Sequence, residues 1–198
     1  MLVATTKGSQ PMPETNGLTR REATLGCVAL GLLARAIPAA SAETALQQGL
    51  KPLERLIGIW RGEGEGQPGA STVERRYEPA LLSQFLLVRN TSSYTPQQKN
   101  PKGQIHEDMG IYSFDEARER IVFRQFHVEG FVNQYVGSVM TPESETIVFE
   151  SEAIENIPMG WRARETYRFL DANTFEEIFE LAEPGMDFAL YSHNRLRR

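Results

Sequence analysis

The sequence predicts an all-β domain: a ten-stranded antiparallel up-and-down β-barrel of the calycin, lipocalin-like kind, preceded by one short helix. Three observations predict it. From Ile59 to the C-terminus apolar residues recur with a period of two, the spacing of strands buried on one face. Turn chemistry interrupts that pattern repeatedly, at Gly66-Gln67-Pro68-Gly69, Asn100-Pro101-Lys102-Gly103, Asp115-Glu116-Ala117-Arg118, Glu129-Gly130, Asp171-Ala172-Asn173 and Glu183-Pro184-Gly185. No helical pattern separates the strands, so the chain reads as a meander. Closing such a sheet removes its edges. Ten strands also leave room for a small ligand, where eight only just suffice.

The elements follow in order. Residues 1–42 read as an address that is removed: Arg20-Arg21 opens a charged region, a short apolar run follows to Ala34, and Ala40-Ser41-Ala42 offers a small-residue cleavage site. The paired arginines resemble a twin-arginine export signal, with the general secretory route as the alternative. The apolar run is too short for a stable membrane span. The expected compartment is the periplasm or the medium, and the domain proper is 43–198. Its cleavage would take Cys27, the one cysteine, with it, which suits an oxidising compartment.

Leu46, Leu50, Leu53 and Leu56 make one apolar stripe on a short helix over 44–56, and Gly58 ends it. Strands follow near 59–65, 71–78, 84–94, 106–113, 119–126, 131–140, 145–151, 162–170, 174–181 and 187–196. The alternation is plainest at Ile121-Phe123-Gln125 against Val122-Arg124-Phe126. The polar stretch from Thr95 to Lys102 reads as a loop.

Net charge is −5 over 198 residues. An acidic chain without a basic face is a poor nucleic-acid binder, because there is little to displace counterions. The sequence holds no serine elbow, phosphate loop, dinucleotide fingerprint or zinc motif. Three histidines without His-x-His spacing argue against a metal site built from side chains alone.

The most informative run is Trp60-Arg61-Gly62-Glu63-Gly64-Glu65-Gly66. Gly62, Gly64 and Gly66 share one strand face, and a bare face lets a chain segment or a ligand approach the backbone. Trp60 is placed to close one end of a barrel, with the helix packed nearby. As structure alone, the run is a barrel-closing device.

Together with Gly58, this run resembles the opening of the nitrobindin-like haem-binding β-barrels. His106-Glu107-Asp108-Met109-Gly110-Ile111-Tyr112 resembles that family's His-x-Glu-x-Gly-(Tyr/Phe) strand, with an insertion in the acidic step. Gly130-Phe131-Val132-Asn133-Gln134-Tyr135-Val136-Gly137 resembles its hairpin, and Phe188 to Leu196 resembles its last strand. The likeness spans 50–198. It implies a ten-stranded barrel that binds ferric haem b through one histidine of the last strand, and with it nitric oxide chemistry and isomerisation of peroxynitrite to nitrate. Aligned on Leu196-Arg197-Arg198, Tyr191 stands at that histidine's position and His193 lies two residues on. On a regular strand both share one face, and either residue type can be an axial ligand of haem iron. His106 is expected at the pocket rim as a donor to a ligand carboxylate. His127, beside a turn, reads as a surface residue. Glu107 and Asp108 are adjacent, so they face opposite sides.

Three functions follow: a haem-binding barrel with His193 or Tyr191 on the metal; a haem-free carrier or sensor of a lipid or other hydrophobic small molecule; and a ligand-less structural barrel whose side chains fill the interior.

Overall fold

The computed structural model describes residues 45–198. The region read as an export signal, and Thr44 at the expected helix start, lie outside the described residues. A 3₁₀ helix, Gln48–Leu56, is followed by ten strands: β1 Gly58–Gly66, β2 Ser71–Ala80, β3 Phe85–Tyr94, β4 Gln104–Asp115, β5 Arg120–His127, β6 Val132–Gly137, β7 Thr146–Glu155, β8 Arg162–Asp171, β9 Thr174–Ala182 and β10 Ala189–Arg197. Each strand pairs antiparallel with its sequence neighbours. β1 pairs with β10, which closes the barrel. The expected fold class is the observed one, and the expected strands correspond one to one.

The helix is tighter than an α-helix and carries Pro52. Its leucines 50, 53 and 56 are buried, as is Leu46 just before it. Trp60 donates its indole N–H to the Leu56 carbonyl at 2.7 Å and meets Phe175 edge-on at 4.8 Å. The helix is therefore a stopper seated in one mouth.

Above the stopper the interior is solid. Tyr112 stacks on Phe123 at 4.0 Å, Phe123 on Tyr135 at 5.4 Å, and Phe149 meets Tyr167 at 5.9 Å. Each of these rings is almost wholly buried. Such a core gains the most per residue, because aromatic side chains bury the largest areas. The Tyr112 and Tyr167 hydroxyls satisfy each other at 2.8 Å. One half of the barrel thus behaves as the structural reading expected.

The other half does not, because the residue types at inward positions change. Along β2 the inward positions run Ser71, Val73, Arg75, Tyr77; along β9 they run Phe175, Glu177, Phe179, Leu181. Charged groups occupy core register, and a cavity opens over them.

The β1 glycines lie on the inward face beside β10. A Cβ on Gly62 would fall onto the Arg195 carbonyl, and one on Gly66 onto the Tyr191 carbonyl. Their bareness lets β10 lie close against β1.

Candidate functional site

The open half encloses a cavity of about 490 Å³, within the size range of small-molecule sites. Its floor is ionic. Arg75 reaches across from β2 to Glu177 on β9, with both side chains about 95% buried and the closest contact 2.7 Å. Arg75 Nε binds the same carboxylate, while Nη1 donates to the Thr91 carbonyl at 3.1 Å. Asn194 of β10 donates to Glu177 at 2.6 Å. Burial alone depresses the guanidinium's pKa, but the Glu177 charge and hydrogen bonds outweigh it and raise the net value, so Arg75 stays charged.

Glu165 of β8 adds a second carboxyl to the floor. Burial, and then the nearby Glu177 charge, push its pKa up to about 8, so at neutral pH it is mostly the protonated acid. It accepts the Tyr167 hydroxyl at 2.7 Å. Asp108 shifts the other way. Burial opposes its ionisation, but the His106 imidazole 3.6 Å away and the Arg75 charge hold it below the usual carboxylate range. One wall therefore holds a proton and another holds a fixed negative charge. A neutral acid can donate to a bound ligand, and an ionised carboxylate can accept.

Two histidines face the cavity beside Asp108. His106 Nδ1 lies 2.9 Å from Glu129, and its Nε2 lies 3.6 Å from Asp108. The Asp108 carboxylate beside it raises its pKa against the opposing effect of burial, and Glu129 adds to the rise. His127 stacks on Phe131 at 4.0 Å, and its Nδ1 approaches His106 Nε2 at 3.4 Å. Burial drives its pKa down to about 4, so it is neutral. The surface position expected for His127 is corrected: it ends β5 opposite Asp108, on the strand face that points inward. The rim is apolar, with Phe131, Ile154, Trp161, Phe179, Leu181 and Tyr191.

The floor's protons make stability depend on pH. Glu165 is raised on folding, so its stabilising contribution is whole below about pH 4.5 and is lost as pH climbs through about 8. His127 is lowered, so its contribution is whole above about pH 6.5 and is lost as pH falls through about 4. The two slopes cancel between about pH 4.5 and 6.5. Above about 6.5 the Glu165 slope, near 1.4 kcal/mol per pH unit in the limit of one proton, is joined by that of His106, whose pKa folding also raises and whose contribution is likewise lost as pH rises. Urea unfolding at pH 6.5, 7.0, 7.5 and 8.0 is expected to show falling stability in the native protein and a flatter profile in Glu165→Gln.

The remaining sequence-derived candidates divide by wall. His106 lines the cavity. Trp60 is at the opposite, stoppered end. Gly62, Gly64 and Gly66 face β10, where the chain itself fills the approach they allow. The expectation that positions 191 and 193 share a face is corrected by a β-bulge. β10 slips against β9 between Leu190 and Ser192, and a bulge changes which way the following side chains point. Tyr191 lines the cavity, edge-on to Phe179 at 5.7 Å. His193 lies in an outer groove with Glu63, Glu65 and Arg195, 3.7 Å from Glu176.

β10 therefore offers haem iron little. Burial, then Tyr94 and Glu129, raise the pKa of Tyr191, which keeps the phenol protonated and a poor metal base. His193 is on the wrong side of the wall. The residues of the last strand do not fit the axial-ligand position that the sequence resemblance implies.

A closed antiparallel barrel, stoppered at one end and hollow at the other, is a ligand-enclosing β-barrel. Residues 49–198 match the family model described as the THAP4-like, heme-binding beta-barrel domain, and the chain belongs to that family. Among solved structures it resembles Rv2717c from M. tuberculosis, with 18% identity, a TM-score of 0.59, and coverage of 77% of this chain and 98% of that one. A redesigned β-barrel matches at 11% identity and a TM-score of 0.39, covering 75% of this chain and 95% of its own. A de novo fluorescence-activating β-barrel matches at 11% and 0.35, covering 72% and 92%. No curated protein matches.

Proposed function

We propose that this protein binds one small amphipathic molecule, its polar head against the floor and its apolar body against the rim. The observation that carries the reading is the 490 Å³ cavity with a buried ion pair beneath aromatic and aliphatic walls. Carboxylates and amide side chains outnumber cations on the floor, so the favoured head carries hydrogen-bond donors. Pockets that join an apolar surface to a few placed polar groups are the usual form of small-molecule sites. The export reading of residues 1–42 adds that the ligand is met outside the cytoplasm.

The family's description makes haem the ligand to test against this reading. With no base from β10, the imidazoles that face the cavity are those of His106 and His127, not a residue of the last strand.

The test is solvent extraction and mass spectrometry of protein purified from the cell envelope, with N-terminal sequencing of the same sample. A stoichiometric amphiphile and an N-terminus at Glu43 are expected. Ser192→Phe fills the cavity from β10 and is expected to cut ligand affinity at least tenfold while leaving the melting temperature close to native. Added hemin is expected to give no Soret band that responds to Tyr191→Phe or His193→Ala. A tight Soret band lost in either variant would replace this reading with the haem one.

A further inference from the structure

We propose that His106, Asp108 and His127 form a binding site for one divalent transition-metal ion at the cavity wall, with at least one coordination position open to the cavity. This goes beyond the amphiphile reading and does not depend on it, since metal uptake and organic-ligand uptake are measured separately.

The pleat brings the three residues together. Positions 106 and 108 are two apart on β4 and share its inward face, and Asp108 is the direct cross-strand partner of His127. One donor atom from each residue lies within 4.8 Å of the other two. Two edges of this triangle are 3.6 Å, from His106 Nε2 to Asp108 Oδ2, and 3.4 Å, from His106 Nε2 to His127 Nδ1. Ligands about 2.1 Å from an ion in tetrahedral array stand roughly 3.4 Å apart, so these two edges already have the right length.

The surroundings leave the correct atoms free. Glu129 takes His106 Nδ1 at 2.9 Å, which turns the Nε2 lone pair toward the site. Asn90 and Gln125 both donate to Asp108 Oδ1, at 2.7 and 2.8 Å, which leaves Oδ2 for a metal. Asn133 lies 3.2 Å from His127 Nε2. Its Oδ1 is buried without a partner. A half-turn of that amide, with the Tyr135 hydroxyl that now accepts from Nδ2 at 2.7 Å turned to donate instead, sets Oδ1 to accept from His127 Nε2–H, which commits Nδ1 to the ion.

A second orphan points to the open position. Asn90 is 7% exposed and lines the cavity, and its Oδ1 has no hydrogen-bond partner. A water bound to the ion is a donor of the kind that atom lacks. Asp108 and Glu129 together supply two negative charges against one divalent cation. Two imidazoles and one carboxylate with an open position suit Zn²⁺ or Fe²⁺, and suit Mg²⁺ or Ca²⁺ poorly because those prefer all-oxygen shells.

The experiment uses the full chain without a histidine tag. Zn²⁺ is titrated calorimetrically, and Co²⁺ is added as a spectroscopic probe. One ion per chain is expected, with Co²⁺ giving visible d–d bands and Mg²⁺ giving no heat. Asp108→Asn and His127→Gln are expected to lower Zn²⁺ affinity at least 100-fold. Glu129→Gln, at the better-exposed edge and less prone to misfold, is expected to lower it 10- to 100-fold. His193→Ala, on the outer wall, is expected to leave it unchanged. No Zn²⁺ or Co²⁺ uptake by the native chain overturns the proposal. Binding that survives Glu129→Gln and Asp108→Asn but is lost in His193→Ala overturns it equally. An extracted amphiphile with no metal uptake would sink this site and leave the ligand reading standing.

Discussion

Replacing Arg75 by alanine is expected to destabilise the barrel by about 3–5 kcal/mol, the usual cost of stripping one partner from a buried ion pair. The reason lies in what remains. Glu177 would be left at about 5% exposure without its cation, with Asn194 as a remaining hydrogen-bond donor. Glu165, held protonated by burial and then by the Glu177 charge, brings no cation to the floor. Arg75 also donates to the Thr91 carbonyl, so its loss loosens β3 as well. The paired change Arg75→Met with Glu177→Leu is expected to recover most of that loss, since apolar residues of similar volume often replace a buried pair at no cost. Urea unfolding of the two variants measures both numbers. If the single variant loses under 1 kcal/mol, the floor is wetter than its burial implies. The double variant is also expected to abolish ligand uptake, because a floor without charge no longer selects a polar head. The ion pair would then be kept for binding at no gain in stability.

Gly62→Ala is the second large effect, and it acts through the backbone. The added Cβ would meet the Arg195 carbonyl far inside contact distance, with the carbonyl carbon at 2.8 Å. Neither atom can step aside, because β1 and β10 are locked together there by the pairing of Gly62 with Leu196. Ordinary overpacking costs about 1–3 kcal/mol, and a clash with paired backbone is expected to exceed that range. Gly66→Ala meets the Tyr191 carbonyl and is expected to behave alike. Gly64→Ala meets side-chain atoms instead, of Asn194 and Ser71. Those can rotate, so its stability loss is expected to be smaller. Its main effect is expected in the cavity, because Asn194 is a partner of Glu177. Thermal unfolding should therefore rank Gly62→Ala and Gly66→Ala well below Gly64→Ala, while ligand affinity should fall in Gly64→Ala too. Equal losses in all three would mean that the β1–β10 seam yields more easily than its register suggests.

The Gly-x-Gly-x-Gly run was legible from sequence as a bare strand face, and so was the chain of ten strands, because period two is local. Trp60 and the leucines of 46–56 were legible for the same reason: an apolar stripe beside a strand start has few places to go. The floor was harder. Arg75, Glu165 and Glu177 each sit between apolar neighbours of the same parity, Val73 and Tyr77, Ala163 and Tyr167, Phe175 and Phe179. That is a readable sign, a charge in core register, and it was there to be found on three strands. What no single strand displays is that these charges meet.

Sequence alone determined the barrel, its strand count, its stoppered end and the family likeness. Each follows from spacing along one strand or from a motif contiguous in the chain. Tertiary structure alone decided that Arg75 pairs with Glu177 over 102 residues, that His127 turns inward to His106 and Asp108, and that a bulge puts Tyr191 inside and His193 outside. The physical reason is closure. Bending the sheet into a cylinder sets residues of distant strands face to face, and one extra residue in one strand reverses the parity by which a sequence is read.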